Sequence, residues 1–332
     1  MPTGGIARYT LELASALART FPNDQYWLLS DQPLPQLPSD LHVGGRPRNL
    51  IERRWWTFGL NREMDRHSVE LFHGTDYSVP YLRKRPAVIT VHDLSPWKYP
   101  QWQPAAGRIR RRTPRLLKAG CATAVITLSH AIKQEVVEFF QLPADRVFVV
   151  PLAADTRFEP TPAPAPTRPY FLFVGTLEPR KNLHALIDAW RPLSHQVDLV
   201  LAGRTRADFD LPKPEPGLRL TGAVPEADLP GLYTNATAVI YPSHYEGFGL
   251  PVLEAMRCGA LVITSSDPAI RETAGGTAIH TSDWRTAMQS VIERPHEFEG
   301  LRERARKRAL EYSWERTARA TREVYEAARA LS

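Results

Sequence analysis

The chain has 332 residues, of which 43% are hydrophobic, 23% are charged and 30 are proline. This composition excludes a disordered or fibrous protein, and the length fits two domains that each bury a core. The sequence contains two cysteines and no apolar run as long as a membrane span, so we expect an intracellular, cytoplasmic protein without a disulfide framework.

The formal net charge of +6 comes entirely from the first half of the chain. Residues 1–160 carry 21 Lys and Arg against 15 Asp and Glu, whereas residues 161–332 carry 21 of each. The excess is densest at Arg108–Arg115, which is either a solvated helix face or a region attracted to anionic lipid headgroups or a phosphorylated acceptor. Nucleic acid is not expected, because no recognition motif accompanies the arginines.

The first half alternates strand-like and helix-like segments. Residues Met1–Gly5 are typical of a loop after a strand, and Ala7–Arg19 is typical of the helix that follows it. Strand-like runs then appear at Gln25–Ser30, Leu71–His73, Ala87–His92, Ala124–Ser129 and Val147–Pro151. The pattern predicts a parallel sheet covered by helices on both faces. Because no strand precedes the first helix, we expect either that the true start of the protein lies upstream or that the chain is truncated.

An alternating proline tract, Pro160–Pro169, suits neither a helix nor a central strand and predicts a domain boundary. We therefore expect a first domain over residues 1–160, a linker over 161–169 and a second domain over 170–313. Strand-like runs in the second domain are Tyr170–Gly175, Val197–Ala202, Leu218–Thr221, Ala238–Pro242 and Leu261–Thr264. Residues 314–332 follow as an amphipathic helix.

Three motifs carry candidate chemistry. Gly4 and Gly5 precede a helix, where backbone N–H groups can approach an anion, although for this motif taken alone a flexible terminus is the favoured explanation. Arg180 and Lys181 stand together between a buried strand and a helix, an arrangement that suits a diphosphate. A third motif, residues 243–256, places Glu246 and Glu254 where carboxylates can accept hydrogen bonds from sugar hydroxyls.

These motifs together resemble a known family. The sequences Glu178-Pro-Arg-Lys-Asn182 and Glu246-Gly-Phe-Gly-Leu-Pro-Val-Leu-Glu254 are similar to those of the family 4 retaining glycosyltransferases. Further similarity lies at Gly4–Tyr9, Thr90–Asp93, Thr127–His130 and Tyr312–Glu315. The resemblance implies the α/β fold called GT-B, with two doubly wound Rossmann-like domains facing across a cleft and the final helix, 314–332, returning to the first domain.

The resemblance also implies a reaction. A hexose of the mannose or glucose type would pass from a nucleotide-diphosphate sugar to a saccharide or polyprenyl-linked acceptor during synthesis of a cell-surface polysaccharide such as lipopolysaccharide. No cofactor and no bound metal are expected, because two cations take the place of a metal at the diphosphate. Retention of configuration by front-face attack is expected as well.

The resemblance implies a role for each site residue. Arg180 and Lys181 would bind the donor diphosphate, and Glu254 would bind the ribose. Glu246 would hold the transferred sugar, and His92 would lie near the hydroxymethyl group of that sugar. The remaining donor-binding residues would be Gly247, Phe248, Gly249 and Leu250, with Gly4 and Gly5 approaching the diphosphate from the other domain.

Several alternatives accompany this interpretation. His92 could be a buried structural histidine beside a helix-capping Asp93. Asp208 and Asp210 resemble a metal-binding Asp-x-Asp, but their proline-rich surroundings argue against it. A dinucleotide-dependent oxidoreductase is the rival enzyme, although the third glycine of its fingerprint is replaced by Val252. A non-catalytic module that binds a sugar or a lipid headgroup is the remaining alternative.

Overall fold

A computed structural model describes residues 5–31, 41–45, 47–161, 166–210, 213 and 215–332. Within it the chain forms two compact units, the first made of Met1–Leu152 with Trp314–Ser332 and the second of Ala153–Ser313. Each unit is an α/β structure with parallel strands. No helix among the described residues is both long enough and apolar enough to cross a membrane.

The first unit contains a four-stranded parallel sheet in the order β3-β4-β5-β6 and a separate parallel pair, β1-β2. Its elements are α1 Gly5–Thr20, β1 Trp27–Leu28, β2 His42–Val43, α2 Leu60–Arg66, β3 Phe72–Gly74, β4 Ala87–Thr90, α3 Ser95–Lys98, α4 Gly107–Lys118, β5 Ala124–Thr127, α5 His130–Phe140 and β6 Val147–Val149. β4 and β5 both read Ala-Val-Ile-Thr and are buried at every residue, as expected for central strands covered on both faces. A cavity of about 790 Å³ is lined by α1, β1 and β3.

The second unit contains a six-stranded parallel sheet in the order β12-β11-β10-β7-β8-β9. Its elements are β7 Tyr170–Val174, α6 Leu183–Trp190, β8 Asp198–Ala202, β9 Leu218–Gly222, α7 Leu229–Asn235, β10 Ala238–Tyr241, α8 Leu250–Arg257, β11 Val262–Thr264, α9 Pro268–Ala274, β12 Ile279–His280, α10 Trp284–Glu293 and α11 Glu299–Leu310. β7 is buried throughout and pairs with strands on both sides, which explains why its sequence is continuously apolar.

The final helix, α12 Trp314–Ala330, belongs to the first unit. Val324 and Ala328 on this helix pack against Val88, Ala124 and Ile126 of β4 and β5. Burial of a side chain such as Val324 stabilises the fold by about 1.5–3 kcal/mol, so this contact contributes substantially to the core of the unit. The amphipathic pattern of residues 314–331 is therefore explained by packing on the first sheet.

Each strand-like run of the sequence overlaps a strand of the structure, and β3 and β9 each extend one residue beyond the predicted run. No run was predicted for β2 or β12. Both have only two residues, which is too short for a periodic hydrophobic pattern. The helix expected at Ala7–Arg19 is α1, which begins at Gly5.

The division between the units falls between Leu152 and Ala153, earlier than the predicted boundary at residue 160. Tertiary contacts explain the difference. Phe158 is fully buried and its ring lies 6.0 Å from the ring of Tyr233 in the second unit. The chain has thus joined the second unit before the proline tract begins. Residues 162–165 of the predicted linker lie outside the described residues.

Candidate active site

The order of strands in the second unit reverses beside β7. The chain continues from β7 to β8 and β9 on one side of the sheet, and later builds β10, β11 and β12 on the other side. At such a reversal the loops that follow the two neighbouring strands leave in opposite directions and open a crevice where ligands of α/β sheets bind. Here these loops are residues 175–182, after β7, and residues 242–249, after β10. Both of the main sequence motifs therefore meet at one edge of the sheet.

The loop after β7 is shaped by a short 3-10 turn, Pro179–Lys181, and by Asn182, whose φ of 55° lies in the left-handed region. Asparagine tolerates this conformation better than most residues, which allows α6 to begin at Leu183 directly afterwards. The backbone N–H of His244 donates to the Arg180 carbonyl at 3.0 Å and ties the two loops together. The side chains of Arg180 and Lys181 are thereby held against the second motif.

Glu246 lies at the centre of the cluster. Lys181 Nζ donates to Glu246 Oε1 at 2.5 Å and to the Tyr241 hydroxyl at 2.7 Å. Arg180 Nη1 donates to Glu246 Oε2 at 2.8 Å and to the Tyr245 carbonyl at 2.8 Å. Each oxygen of the Glu246 carboxylate therefore has its own cation.

A second carboxylate extends the cluster. Glu178 Oε1 accepts from Arg180 Nη2 at 3.0 Å, and Glu178 Oε2 accepts from Arg206 Nη1 at 3.1 Å. Lys181 and Glu246 are only 5% and 6% exposed. Buried charges are tolerated only when they are paired and hydrogen-bonded, as Lys181 and Glu246 are.

Burial and the neighbouring charges set the protonation states. Burial disfavours the charged form of Glu246, but Arg180 and Lys181 outweigh it, so the pKa of this carboxyl falls to about 2. Burial and the neighbouring Arg180 lower the pKa of the Lys181 amine, while Glu246 opposes that change. Glu246 is consequently a carboxylate at neutral pH, which makes it a hydrogen-bond acceptor and not a proton donor.

Sequence reasoning missed Asp267, which precedes α9 and supports the loop that carries Glu246. Asp267 Oδ2 accepts from the Glu246 backbone N–H at 3.2 Å, and Oδ1 accepts from Ile270 N–H at 3.0 Å, capping α9. Burial raises the pKa of Asp267 to about 6. An Asp followed by Pro268 is a typical start of a helix, so the sequence contained the signal for the cap but not for the contact with Glu246.

The segment 247–249, which follows Glu246, is held in place by residues of α9. Gly249 has a φ of 87° and immediately precedes α8, and a Cβ at this position would lie 3.3 Å from Ile270 Cγ1. The Phe248 carbonyl accepts from Thr273 Oγ1 at 2.7 Å, and its ring is 4% exposed. Gly247 is also buried and Leu250 is half-buried. This segment would therefore contact a ligand through its backbone groups more than through the ring of Phe248.

Glu254 lies on α8 and is 2% exposed. The Tyr233 hydroxyl donates to Glu254 Oε2 at 3.1 Å. The two carboxylates of the motif therefore have different surroundings, since Glu246 is bound by cations and Glu254 by a neutral phenol. The predicted contact of Glu254 with the ribose of the donor stays a prediction.

The other predicted site residues belong to the first unit. His92 follows β4, and its Nε2 lies 2.8 Å from the Thr75 carbonyl. Burial lowers the pKa of the imidazole, which lies edge-on to Tyr9 at 5.1 Å between ring centroids. Asp93 Oδ1 accepts from the Ser95 backbone N–H at 2.8 Å at the start of α3, but the N-cap residue of this helix is Leu94 and not Asp93. Gly5 begins α1, whereas Gly4 lies outside the described residues.

The Asp-x-Asp sequence has an ion-pair partner. Asp208 Oδ1 accepts from Arg206 Nε at 2.5 Å, so this carboxylate extends the Glu178–Arg206 contact outward. Over the ranges that the structure describes, no group of three or more His, Cys, Asp or Glu side chains is arranged to hold a metal ion.

Two family models match the chain, one for each half. Residues 3–158 match the model described as glycosyltransferase family 4, and residues 155–309 match the model described as glycosyl transferases group 1. The boundary between the two matched regions lies close to the division between the structural units.

The chain is also similar to curated and solved proteins. It is 30% identical to O-antigen chain mannosyltransferase B of Escherichia coli, over 98% of this chain and 96% of that one. It is 28% identical to the O-antigen chain mannosyltransferase RfbU of Salmonella typhimurium, over 67% of this chain and 64% of that one. Among solved structures, HepE of Anabaena in complex with UDP and glucose has a TM-score of 0.74 at 16% identity, with 98% and 96% of the two chains covered.

Proposed function

The chain belongs to glycosyltransferase family 4, and we propose that it transfers a mannosyl group from a nucleotide-diphosphate sugar to a saccharide or lipid-linked saccharide. The enzyme acts in the synthesis of a cell-surface polysaccharide, in keeping with the O-antigen chain mannosyltransferase B that it resembles over nearly its whole length. Family membership also sets aside the two rival interpretations, an oxidoreductase and a non-catalytic binding module.

The cluster of Arg180, Lys181 and Glu246 at the strand-order reversal carries this proposal. A diphosphate leaving group develops negative charge as its bond to the sugar breaks, and preorganised cations stabilise that charge most effectively where water is excluded. Arg180 supplies a delocalised charge that Glu178, Glu246 and the Tyr245 carbonyl hold in place, while Lys181 supplies a compact charge that Tyr241 holds at 2.7 Å. The donor diphosphate would thus take its place beside the ion pairs with Glu246.

The state of Glu246 favours a front-face reaction. A double displacement would need a carboxylate free to attack the anomeric carbon. Both oxygens of Glu246 are already bound by cations, which lowers their nucleophilicity and suits them to accept hydrogen bonds from sugar hydroxyls. In the proposed step the bond from the anomeric carbon to the diphosphate breaks, and the acceptor oxygen bonds to the same face. The acceptor proton passes to the departing phosphate oxygen, and the configuration is retained.

We propose further that transfer needs no metal ion, since Arg180 and Lys181 provide the positive charge that the diphosphate requires. One experiment tests both parts: transfer in excess chelator followed by anomeric proton coupling of the product. Undiminished activity with a retained linkage is expected. An inverted linkage would contradict the front-face step, and activity that is lost in chelator and restored by Mn²⁺ would contradict metal independence.

The donor is proposed to be a mannosyl nucleotide because the curated relatives named above are mannosyltransferases. A thermal-shift comparison of GDP-mannose with UDP-glucose tests this choice, because a ligand that binds only the folded protein raises its apparent stability. Stabilisation by UDP-glucose alone would replace mannose with glucose in the proposal.

A lipid-linked acceptor would bring the enzyme to the inner face of the cell membrane. We therefore propose a cytoplasmic protein that contacts the bilayer peripherally, with the basic helix α4 and its arginines between Arg108 and Arg115 as part of the contact. Negatively charged headgroups attract each nearby Lys or Arg by about 1 kcal/mol.

A further inference from the structure

One turn of the first unit reverses the usual placement of acidic and aliphatic side chains. Asn49 Oδ1 accepts from the Ile51 and Glu52 backbone N–H groups at 3.1 and 3.0 Å and fixes the turn. Glu52 is 2% exposed, whereas Leu50 is 77% exposed and Ile51 is 52% exposed. Exposing two neighbouring large aliphatic side chains while burying a carboxylate is costly, so the arrangement calls for a partner that covers Leu50 and Ile51.

The aliphatic pair is part of a larger surface. The Tyr81 backbone N–H donates to the Trp56 carbonyl at 2.9 Å, and Asn61 Nδ2 donates to the Leu82 carbonyl at 2.9 Å, so residues 81–82 lie against the segment that follows Leu50 and Ile51. Leu82 is 47% exposed. Phe58 and Tyr81 are 37% and 38% exposed. We call the five exposed apolar side chains of these two adjoining segments the apolar patch: Leu50, Ile51, Phe58, Tyr81 and Leu82.

Exposed arginines lie next to the apolar patch in the sequence. Arg53, Arg54 and Arg83 are exposed, and no carboxylate of the described residues lies within ion-pair distance of any of them. The acids of this region are engaged elsewhere: Glu52 pairs with Arg66, and Asp65 pairs with Arg85. The patch is therefore apolar at its centre and positively charged at its margin.

Helix α4 is attached to the same surface. The guanidinium of Arg112 lies 4.5 Å from the centroid of the Trp56 ring, and its Nη1 donates to the Tyr81 hydroxyl at 3.2 Å. Arg108 and Arg115 lie one turn to either side of Arg112 on the helix, and both are exposed. The basic cluster of α4 thus continues the positive margin beside Tyr81.

We infer that the apolar patch inserts into the surface of a bilayer that contains anionic lipids, with the arginines at the headgroups. Aliphatic and aromatic side chains beside arginines are the combination that binds this interface, where apolar groups enter the acyl boundary and cations meet negative headgroups. A protein partner would have to supply carboxylates in fixed positions for arginines from three segments, whereas a lipid surface supplies negative charge at every position. The inference rests on the proposed function in one respect only: membrane binding would give the enzyme access to a lipid-linked acceptor.

Flotation of the full-length protein with vesicles tests the inference. We expect binding to phosphatidylcholine mixed with phosphatidylglycerol, little binding to phosphatidylcholine alone, and a decrease as salt is raised. R53S/R54S should weaken binding about 30-fold, about fivefold for each arginine. L50S/I51S should weaken it while keeping the salt dependence, because the charges remain.

The matched control lies on α11 of the second unit, where R304S/R306S/L310S removes the same kinds of exposed side chain. It should bind vesicles like the wild type. Melting temperatures of all variants show whether each is folded, and a variant with a lowered melting temperature is replaced by the single substitution L82S.

The inference is overturned if the wild type ignores anionic vesicles, if the patch variants bind unchanged, or if the α11 control loses as much binding. It is also overturned if the wild type is a dimer, the patch variants are monomers, and both bind vesicles equally well. Transfer to a water-soluble acceptor distinguishes the two proposals, since patch variants should keep it. If transfer fails in the wild type while vesicle binding follows the expected pattern, the proposed reaction is wrong and the membrane surface stands.

Discussion

The substitution Lys181→Ala examines the central ion pair directly. Lys181 is one of two cations that hold the pKa of Glu246 near 2, against an ordinary value of 4.5. That difference corresponds to about 3 kcal/mol of stabilisation. Because the pKa is lowered in the folded protein, this stabilisation is complete above about pH 4.5 and disappears as the pH falls toward 2.

Removal of Lys181 leaves Arg180 as the partner of Glu246, at 2.8 Å. The pKa of Glu246 should then rise part of the way to its ordinary value, and about 1–2 kcal/mol of stability at neutral pH should be lost. Turnover should fall by about 100- to 1,000-fold, because the variant also loses a cation that stabilises the leaving diphosphate.

Urea unfolding at a series of pH values measures the first effect, and transfer kinetics with a nucleotide sugar measure the second. Lys307→Ala is the matched control, since Lys307 is an exposed lysine on α11 of the same unit. The reasoning is refuted if Lys181→Ala keeps the turnover of the wild type, or if its stability varies with acid pH as that of the wild type does.

Three further changes test neighbouring parts of the site. Glu254→Gln should mainly raise the Michaelis constant for the donor, since a ribose contact is shared by ground and transition states; a selective fall in turnover would contradict that role. Asp267, whose pKa is raised to about 6 from an ordinary 3.8, should lower stability by about 3 kcal/mol as the pH rises from about 4 to about 6. Asp267→Asn should flatten this dependence in urea unfolding, and an unchanged slope would show that another group titrates. Gly249→Ala should cost about 1–3 kcal/mol because φ is 87° there, and a melting temperature equal to that of the wild type would contradict this strain.

The sequence was sufficient to predict those features that depend on neighbouring residues. Tyr170–Val174 reads as a buried strand because its five side chains are all buried in the sheet. Arg180 and Lys181 could be located because they lie in the loop that joins that strand to the next helix. Their contact with Glu246 could not be predicted from spacing alone, since it spans 65 positions and depends on β10 pairing beside β7.

Asp267 shows the same limit at a smaller scale. Its helix cap is a local pattern, whereas its hydrogen bond to the Glu246 backbone joins the start of α9 to the loop after β10, 21 positions earlier in the chain. The division between the units precedes the proline tract for a related reason. Phe158 packs against the ring of Tyr233, which is distant in sequence and which the proline pattern does not reveal. Strands, helix caps and charged loops can thus be predicted from neighbouring residues, whereas the contacts that assemble the site depend on the order of the strands in the sheet.

The distribution of charge separates two kinds of anion recognition in this protein. The second half has no net charge, yet it contains the cations proposed to bind the diphosphate. Lys181, which is buried, and Arg180, which is half-buried, act there at short range. Glu246, Tyr241 and the Tyr245 carbonyl fix their positions. The first half contains the whole positive excess, and its exposed arginines act at longer range through water and salt. A fixed pair of cations suits one diphosphate of defined geometry, whereas a diffuse positive margin suits a membrane whose charges have no fixed positions. The net charge of each half of the sequence therefore indicates the membrane surface but not the diphosphate site.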